Sequence, residues 1–168
     1  MARSPVMNFM KQQGFTPEPS DRATLRFKGL QFQPTIVGSM MLVALLTQSP
    51  AIFLVLSGIL WLNVLVPAAN PFENFYNRFV ARRRARPPLT PAPGPRRFAQ
   101  GMAAVFMVAA GLTLLQGWRA ASYVFQGLLV VAFAALLLGK FCLGAYVYHL
   151  LKGNVAFANG TCPWNDSA

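Results

Sequence analysis

The chain is 168 residues long, enough for one domain, yet 55% of its residues are apolar and only 11% carry charge, against about 25% charged in ordinary soluble domains. The formal net charge of +11 suggests a nucleic-acid binder until its distribution is read: the Lys and Arg residues sit in segments that flank apolar runs, the pattern of juxtamembrane charge, so nucleic acid is not expected as a partner. Two cysteines, Cys142 and Cys162, exclude a disulfide framework and a four-thiolate metal site.

Residues 1–28 read as a polar, basic N-terminal tail. Charges run through it with no apolar h-region, so no cleavable signal is expected and the first membrane segment would serve for targeting. Residues 29–152 read as a membrane domain of four apolar segments, and the expected fold is an all-α integral membrane protein. The first span is expected over residues 30–48, with Pro34 suited to its first turn. Gln31, Gln33 and Gln48 flank it and it is short, so a re-entrant segment is the alternative to a true span. The second is expected over residues 50–67, entered through Ser49-Pro50, which permits only a tight helical hairpin.

A basic, Pro-rich loop over residues 70–97 follows. It holds Arg82, Arg83, Arg84, Arg86, Arg96 and Arg97 together with Pro87, Pro88, Pro91, Pro93 and Pro95. These six arginines are the expected contact for anionic lipid headgroups or an acidic partner subunit, each worth about 1 kcal/mol near an anionic leaflet. A topology anchor followed by a stiff polyproline spacer explains the same residues without a partner. No stacking platform accompanies them, which again speaks against nucleic acid.

The third span is expected over residues 99–118. The fourth lies within Ala121–Leu150, thirty residues whose single charge is Lys140. As one helix that run would reach about 45 Å, against roughly 30 Å of bilayer hydrocarbon. The expected span is 121–145, with Lys140 snorkelling at the inner interface and Tyr146, Tyr148 and His149 on a helical extension. Trp118 and Tyr123 fall at the outer interface. Residues 153–168 form a C-terminal tail.

Two antiparallel hairpins joined by a cytoplasmic loop place both termini in the cytoplasm. That side then holds Arg3, Lys11, Arg22, Arg26, Lys28, Arg78, the six loop arginines and Lys152, and the other side only Arg119. The positive-inside rule favours this orientation decisively.

Catalytic signals are sparse. Glu18, Asp21, Glu73 and Asp166 all lie outside the spans, which argues against a proton-coupled transporter. Lys140 and Cys142 are the nearest thing to an activated thiol, but residues two apart on a helix do not face each other. His149 has no second ligand, and Asn159-Gly160-Thr161 fits a glycosylation pattern on the wrong side of the membrane. No catalytic residue, metal or cofactor is implied. Ala135 and Gly139 form a small-xxx-small pair expected to pack the fourth span against another helix, and Ala103, Ala104, Ala110 and Gly111 give the third a similar face.

The stretch Pro95-Arg96-Arg97-Phe98-Ala99-Gln100-Gly101, with Phe141-Cys142-Leu143-Gly144-Ala145-Tyr146-Val147-Tyr148 after the last apolar run, resembles the signature of a bacterial membrane family, domain of unknown function 4395. Asn70-Pro71-Phe72 through Arg78 resembles that family's approach to the central loop. The resemblance spans roughly residues 30–152 and implies four membrane helices and no established activity. Family members carry two cysteines three apart where this chain has Cys142 and Ala145, so a dithiol is lost here. The expectation is a non-catalytic accessory or structural subunit on a larger inner-membrane complex of electron-transfer or light-harvesting type, contacting membrane lipids and other membrane subunits. The alternatives are a thiol-redox or sulfur-handling factor using Cys142 and, behind it, a small transporter.

Overall fold

The computed structural model describes residues 5–16, 20–84 and 86–162; Arg3, Glu18 and Asp166 lie outside them, as does the side chain of Asp21. Among the described residues the protein is all helical. A short α1 (Pro5–Gln12) and α2 (Ser20–Leu30) precede α3 (Phe32–Thr47), and α4 (Pro50–Leu65) follows at once. The central loop contains α5 (Pro71–Phe75), prolonged by a π-helical stretch Tyr76–Ala81; α6 (Gly94–Leu115), α7 (Arg119–Leu137), α8 (Leu143–Leu151) and α9 (Val155–Gly160) complete the chain.

Among the described residues, three helices are long and apolar enough to cross a membrane: Arg22–Thr47, in which α2 runs into α3, Gly94–Leu115 and Arg119–Leu137. This is the composition of a multi-pass membrane protein. At 1.5 Å per residue they measure about 39, 33 and 28 Å. The apolar α4 has 16 residues, about 24 Å.

The four apolar helices form an antiparallel bundle around Val37, Met41, Phe53, Leu56, Met107 and Leu129. The closest contact is between α4 and α6. There Ser57 Oγ donates to the Ala104 carbonyl at 2.9 Å, and a Cβ on Gly111 would stand 3.0 Å from Leu54. Ala104, Ala110 and Gly111 are buried, so the small face expected on this helix is used inside the bundle. A polar lock closes its far end. The carboxamides of Gln48 and Gln126 hydrogen-bond each other at 3.1 and 3.2 Å. Gln126 also donates to Ser122 Oγ at 2.8 Å, whose hydroxyl donates to the Ala110 carbonyl. Gln48 is the left-handed C-cap of α3, which turns the chain within two residues. Trp118 and Tyr123 are exposed at the same end.

Three sequence expectations change. The fourth segment is not one helix over 121–145: α7 ends at Leu137, Lys140 takes a left-handed φ of 50°, and the chain turns back into α8, which packs on α6. Small residues drive the return. A Cβ on Gly144 would lie 2.6 Å from the Ala99 Cα, and Ala145 is fully buried, so α8 gains intimate contact that a straight helix would forfeit. Ala135 and Gly139 therefore do not share a helical face. Gly139 sits exposed in the turn beyond α7, where a Cβ would meet the Ala135 carbonyl oxygen at 2.8 Å.

Second, residues 5–16 and 22–28 are not a loose tail. Phe9, Met10, Gln12, Gln13 and Phe15 are buried, with Phe9 against Phe27 and beside Cys142 and Ala145. Third, the central loop is not a free spacer. It is helical to Ala81, and its extended part is pinned where Asn77 accepts from the Leu89 N–H at 2.7 Å and donates to its carbonyl at 2.9 Å. Leu89 itself is buried.

Candidate functional site

The polar residues of the loop end of the bundle converge on one buried cluster. Asn70 precedes Pro71, and its Oδ1 caps α5 by accepting from the N–H groups of Phe72 and Glu73 at 3.0 and 3.3 Å, the ordinary use of Asn at a helix start. That bond fixes which way the amide faces. Asn70 Nδ2 must then point to Gln33, donating to its Oε1 at 3.1 Å. Gln33 Oε1 also receives Gln100 Nε2 at 3.2 Å. The relay sets the orientation of each carboxamide in turn, and it leaves Gln100 Oε1 buried with no partner.

Glu73 and Arg96 form a buried pair beside this relay, 3.7 Å apart with both side chains about 5% exposed. Burial raises the Glu73 carboxyl above its ordinary range, and the Arg96 guanidinium opposes that rise in part. Arg96 Nη2 also reaches the Leu30 carbonyl at 3.5 Å, while its Nη1 is buried without a hydrogen-bond partner. Neighbouring Arg97 behaves differently: Nε donates to the Val64 carbonyl at 3.0 Å, and Nη2 donates to the same oxygen. It satisfies a carbonyl left open at the end of α4.

The N-terminal helix closes the cluster from outside. Gln12 Oε1 accepts from the Cys142 N–H at 2.9 Å, and His149 Nε2 lies 2.9 Å from the Gln12 carbonyl. The side chain of Gln13 is buried beside them. Burial pushes the Cys142 thiol above its ordinary range, with the Ala145 backbone, Arg96 and Gln13 pulling back. A half-open cavity of about 90 Å³ adjoins it, lined by Gln13, Arg96, Gln100 and Cys142 together with Val37, Phe133 and other mostly apolar side chains. A second hollow of about 470 Å³ between α4 and α6, near Trp61 and Phe106, is apolar.

Of the six arginines expected at headgroups, Arg82, Arg83 and Arg84 are exposed and Arg86 is half-buried, whereas Arg96 is buried and Arg97 is engaged by α4. The correction has a simple cause: Arg96 and Arg97 lie inside α6, which starts at Gly94 and not near residue 99. Cys142 and Lys140 do not form an activated couple, since the chain turns between helices there and Lys140 Nζ lies 5.9 Å over the Phe27 ring. Cys142 and Cys162 are both free thiols. His149 is buried, with its ring nitrogen against the Gln12 carbonyl. Among the described residues no three His, Cys, Asp or Glu side chains gather as a metal site.

Sequence reading missed Gln12, Gln13, Asn70, Glu73 and Gln100 as parts of one cluster. Only Asn70 before Pro71, with Glu73 at the third helical position, carries a local signal, that of a capped helix start. The others meet through tertiary packing between distant segments.

No curated protein and no solved structure matches the chain. A family model described as a domain of unknown function, DUF4395, matches residues 11–152. The match takes in Gln12 and Gln13, so part of the segment read as an extra tail is family sequence. Extending from the end of α1 to the end of α8 and through every residue of the buried cluster, it places the chain in the DUF4395 family.

Proposed function

We propose that this is a non-catalytic multi-pass protein of the bacterial inner membrane, with α3, α4, α6 and α7 as four spans and both termini cytoplasmic. Its role is that of an accessory or structural subunit on a larger inner-membrane complex of electron-transfer or light-harvesting type. The observation that carries the reading is the division of labour among side chains. Several polar groups within the bundle make helix-to-helix bonds: Ser57 to Ala104, Gln48 to Gln126, Gln100 to Gln33 and Arg97 to Val64. The outer faces carry large apolar side chains, including Leu42, Leu46, Val55, Leu115 and Val131. Lipid tails offer such a surface no hydrophobic drive toward a partner, so association rests on close packing. Arg82, Arg83, Arg84 and Arg86 serve the anionic headgroups at the cytoplasmic face.

The test is solubilisation of native membranes in mild detergent, followed by native electrophoresis and mass spectrometry of the band that contains the chain. The expected result is a stoichiometric set of other membrane subunits. Migration as a lone chain or as copies of itself alone overturns the accessory role.

One observation favours a second reading, in which Cys142 does thiol chemistry: the thiol borders a cavity beside Arg96. Its burial and the raised proton affinity that follows favour the inert form. Replacing Cys142 and Cys162 together by Ser is expected to leave assembly unchanged, and loss of assembly or of a cellular phenotype would bring the thiol reading forward.

A further inference from the structure

The open hollow between α4 and α6 lies on the outer surface of the bundle. Its walls are Trp61 on α4 and Gly101, Met102, Val105 and Phe106 on α6, and it measures about 470 Å³. Trp61 and Val105 are exposed. Gly101 keeps the groove open, since a Cβ there would touch only Val64 Cγ2, at 3.8 Å. From Gly94 to Phe106, both lining residues, α6 rises about 18 Å. One leaflet's share of the hydrocarbon is about 15 Å. The groove therefore runs from the loop end of the bundle to about the middle of the membrane.

Its charge is confined to the loop end. Arg97 lines the groove there, half-buried, and its two bonds to the Val64 carbonyl hold the guanidinium in place without neutralising it. Among the described residues no carboxylate lines the groove, and Glu73 is paired with Arg96. A second cation stands beyond the same end. A Cβ on Gly94 would lie 3.2 Å from the Tyr148 hydroxyl, and the exposed Lys152 holds its Nζ 5.9 Å over the Tyr148 ring. A partner helix is about 10–12 Å across and would have to bring an acidic side chain to this level. A phospholipid supplies an apolar chain and a terminal negative charge in the required order.

We propose that this groove is a binding site for one anionic phospholipid of the cytoplasmic leaflet. An acyl chain lies along Trp61, Gly101 and Val105, and the headgroup stands beyond the groove between Arg97 and Lys152. The site rests on the four-span reading and is independent of docking on a larger assembly.

The test uses the full chain with Trp118→Phe and Trp164→Phe, so that Trp61 is the single tryptophan, reconstituted in phosphatidylcholine vesicles. A small fraction of the lipid is replaced by phosphatidylglycerol or by phosphatidylcholine with brominated acyl chains, which quench an indole they touch. Quenching of Trp61 is expected to show about a fivefold preference for phosphatidylglycerol, the scale of one charge near a headgroup. Gly101→Leu, which fills the groove, should abolish the preference, and Lys152→Gln should reduce it to about twofold. Equal quenching by the two lipids means that bulk lipid wets the groove, and the proposal fails. A preference untouched by both substitutions places the anionic lipid on the loop arginines, and the proposal fails again. Absence of quenching from a chain that floats with the vesicles means that protein covers the groove; a chain that does not float overturns the four-span reading as well. If Gly101→Leu does not fold, the comparison of lipids and Lys152→Gln still decide.

Discussion

Arg96 and Arg97 are adjacent in sequence and face different partners, which shows how little a residue's type says about its work. Counting toward topology treats them as equivalent charges. In the fold, Arg96 is buried against Glu73 and Arg97 holds the last turn of α4 through two bonds to one carbonyl. A lysine at 97 keeps the charge and loses the fork. Arg97→Lys is therefore expected to cost about 1–2 kcal/mol, seen as a lower thermal midpoint in detergent; an unchanged midpoint would show that water satisfies the Val64 carbonyl equally well. Glu73 gives a prediction with a sign. Its carboxyl is raised in the fold, chiefly by burial, so the folded state binds its proton more tightly than the unfolded chain does. The corresponding stability is full below the ordinary value of 4.5 and is lost as pH rises through the raised value. Wild type should thus gain thermal stability between neutral pH and about pH 4.5, and Glu73→Gln, which cannot titrate, should not. Only four acidic side chains exist, so few other groups blur the comparison. A wild-type midpoint that falls on acidification would mean that the ion pair with Arg96 outweighs desolvation.

At the scale of elements, apolar periodicity and turn chemistry made most helices readable. Ser49-Pro50 marks the α3–α4 turn, and Pro95 sits at the start of α6 as proline should. The break after Leu137 was not readable, because Gly139 and Lys140 are weak interruptions in an apolar run and hydropathy cannot distinguish a long helix from one that doubles back. What decides it is the fit of Gly144 and Ala145 onto α6 and the capture of the Cys142 N–H by Gln12, contacts between segments distant in sequence, the second 130 residues apart. The buried cluster was hidden for the same reason: glutamines at 12, 13, 33 and 100 carry no periodicity that links them. The break itself can be tested through Lys140, whose left-handed φ costs a side-chain-bearing residue about 1 kcal/mol. Lys140→Ala and Lys140→Gly both remove the ammonium over Phe27, but only Gly relieves the backbone. The Gly variant is expected to be about 1 kcal/mol more stable than the Ala variant. Equal stability, or an advantage for Ala, would indicate a continuous helix through this point.

For the whole molecule the decisive element is α4, whose 16 residues span about 24 Å against roughly 30 Å of hydrocarbon. If α4 did not cross, the Asn70–Arg97 loop would lie outside with most of the arginines, against the positive-inside rule. Contacts within the bundle weigh the same way. Arg97 ties the last turn of α4 to the first turns of α6, and Asn70 ties the chain just after α4 to Gln33 at the start of α3. The end of α4 thus returns to the level from which α3 set out, and a helix a few ångströms short is accommodated by local thinning of the bilayer at modest cost. Arg119, the first residue of α7, belongs to the opposite end, beside the exposed Trp118. Single cysteines placed at Thr90 and at Arg119, each with Cys142 and Cys162 changed to Ser, should therefore respond oppositely to an impermeant maleimide. The cysteine at 119 should label in intact cells, and the one at 90 only after the membrane is opened. Labelling of both from outside would place the basic loop outside and break the four-span arrangement. Labelling of neither before lysis but of both after would keep the α6–α7 turn from the outer surface, and either result would require the bundle to sit in the membrane differently from its charge.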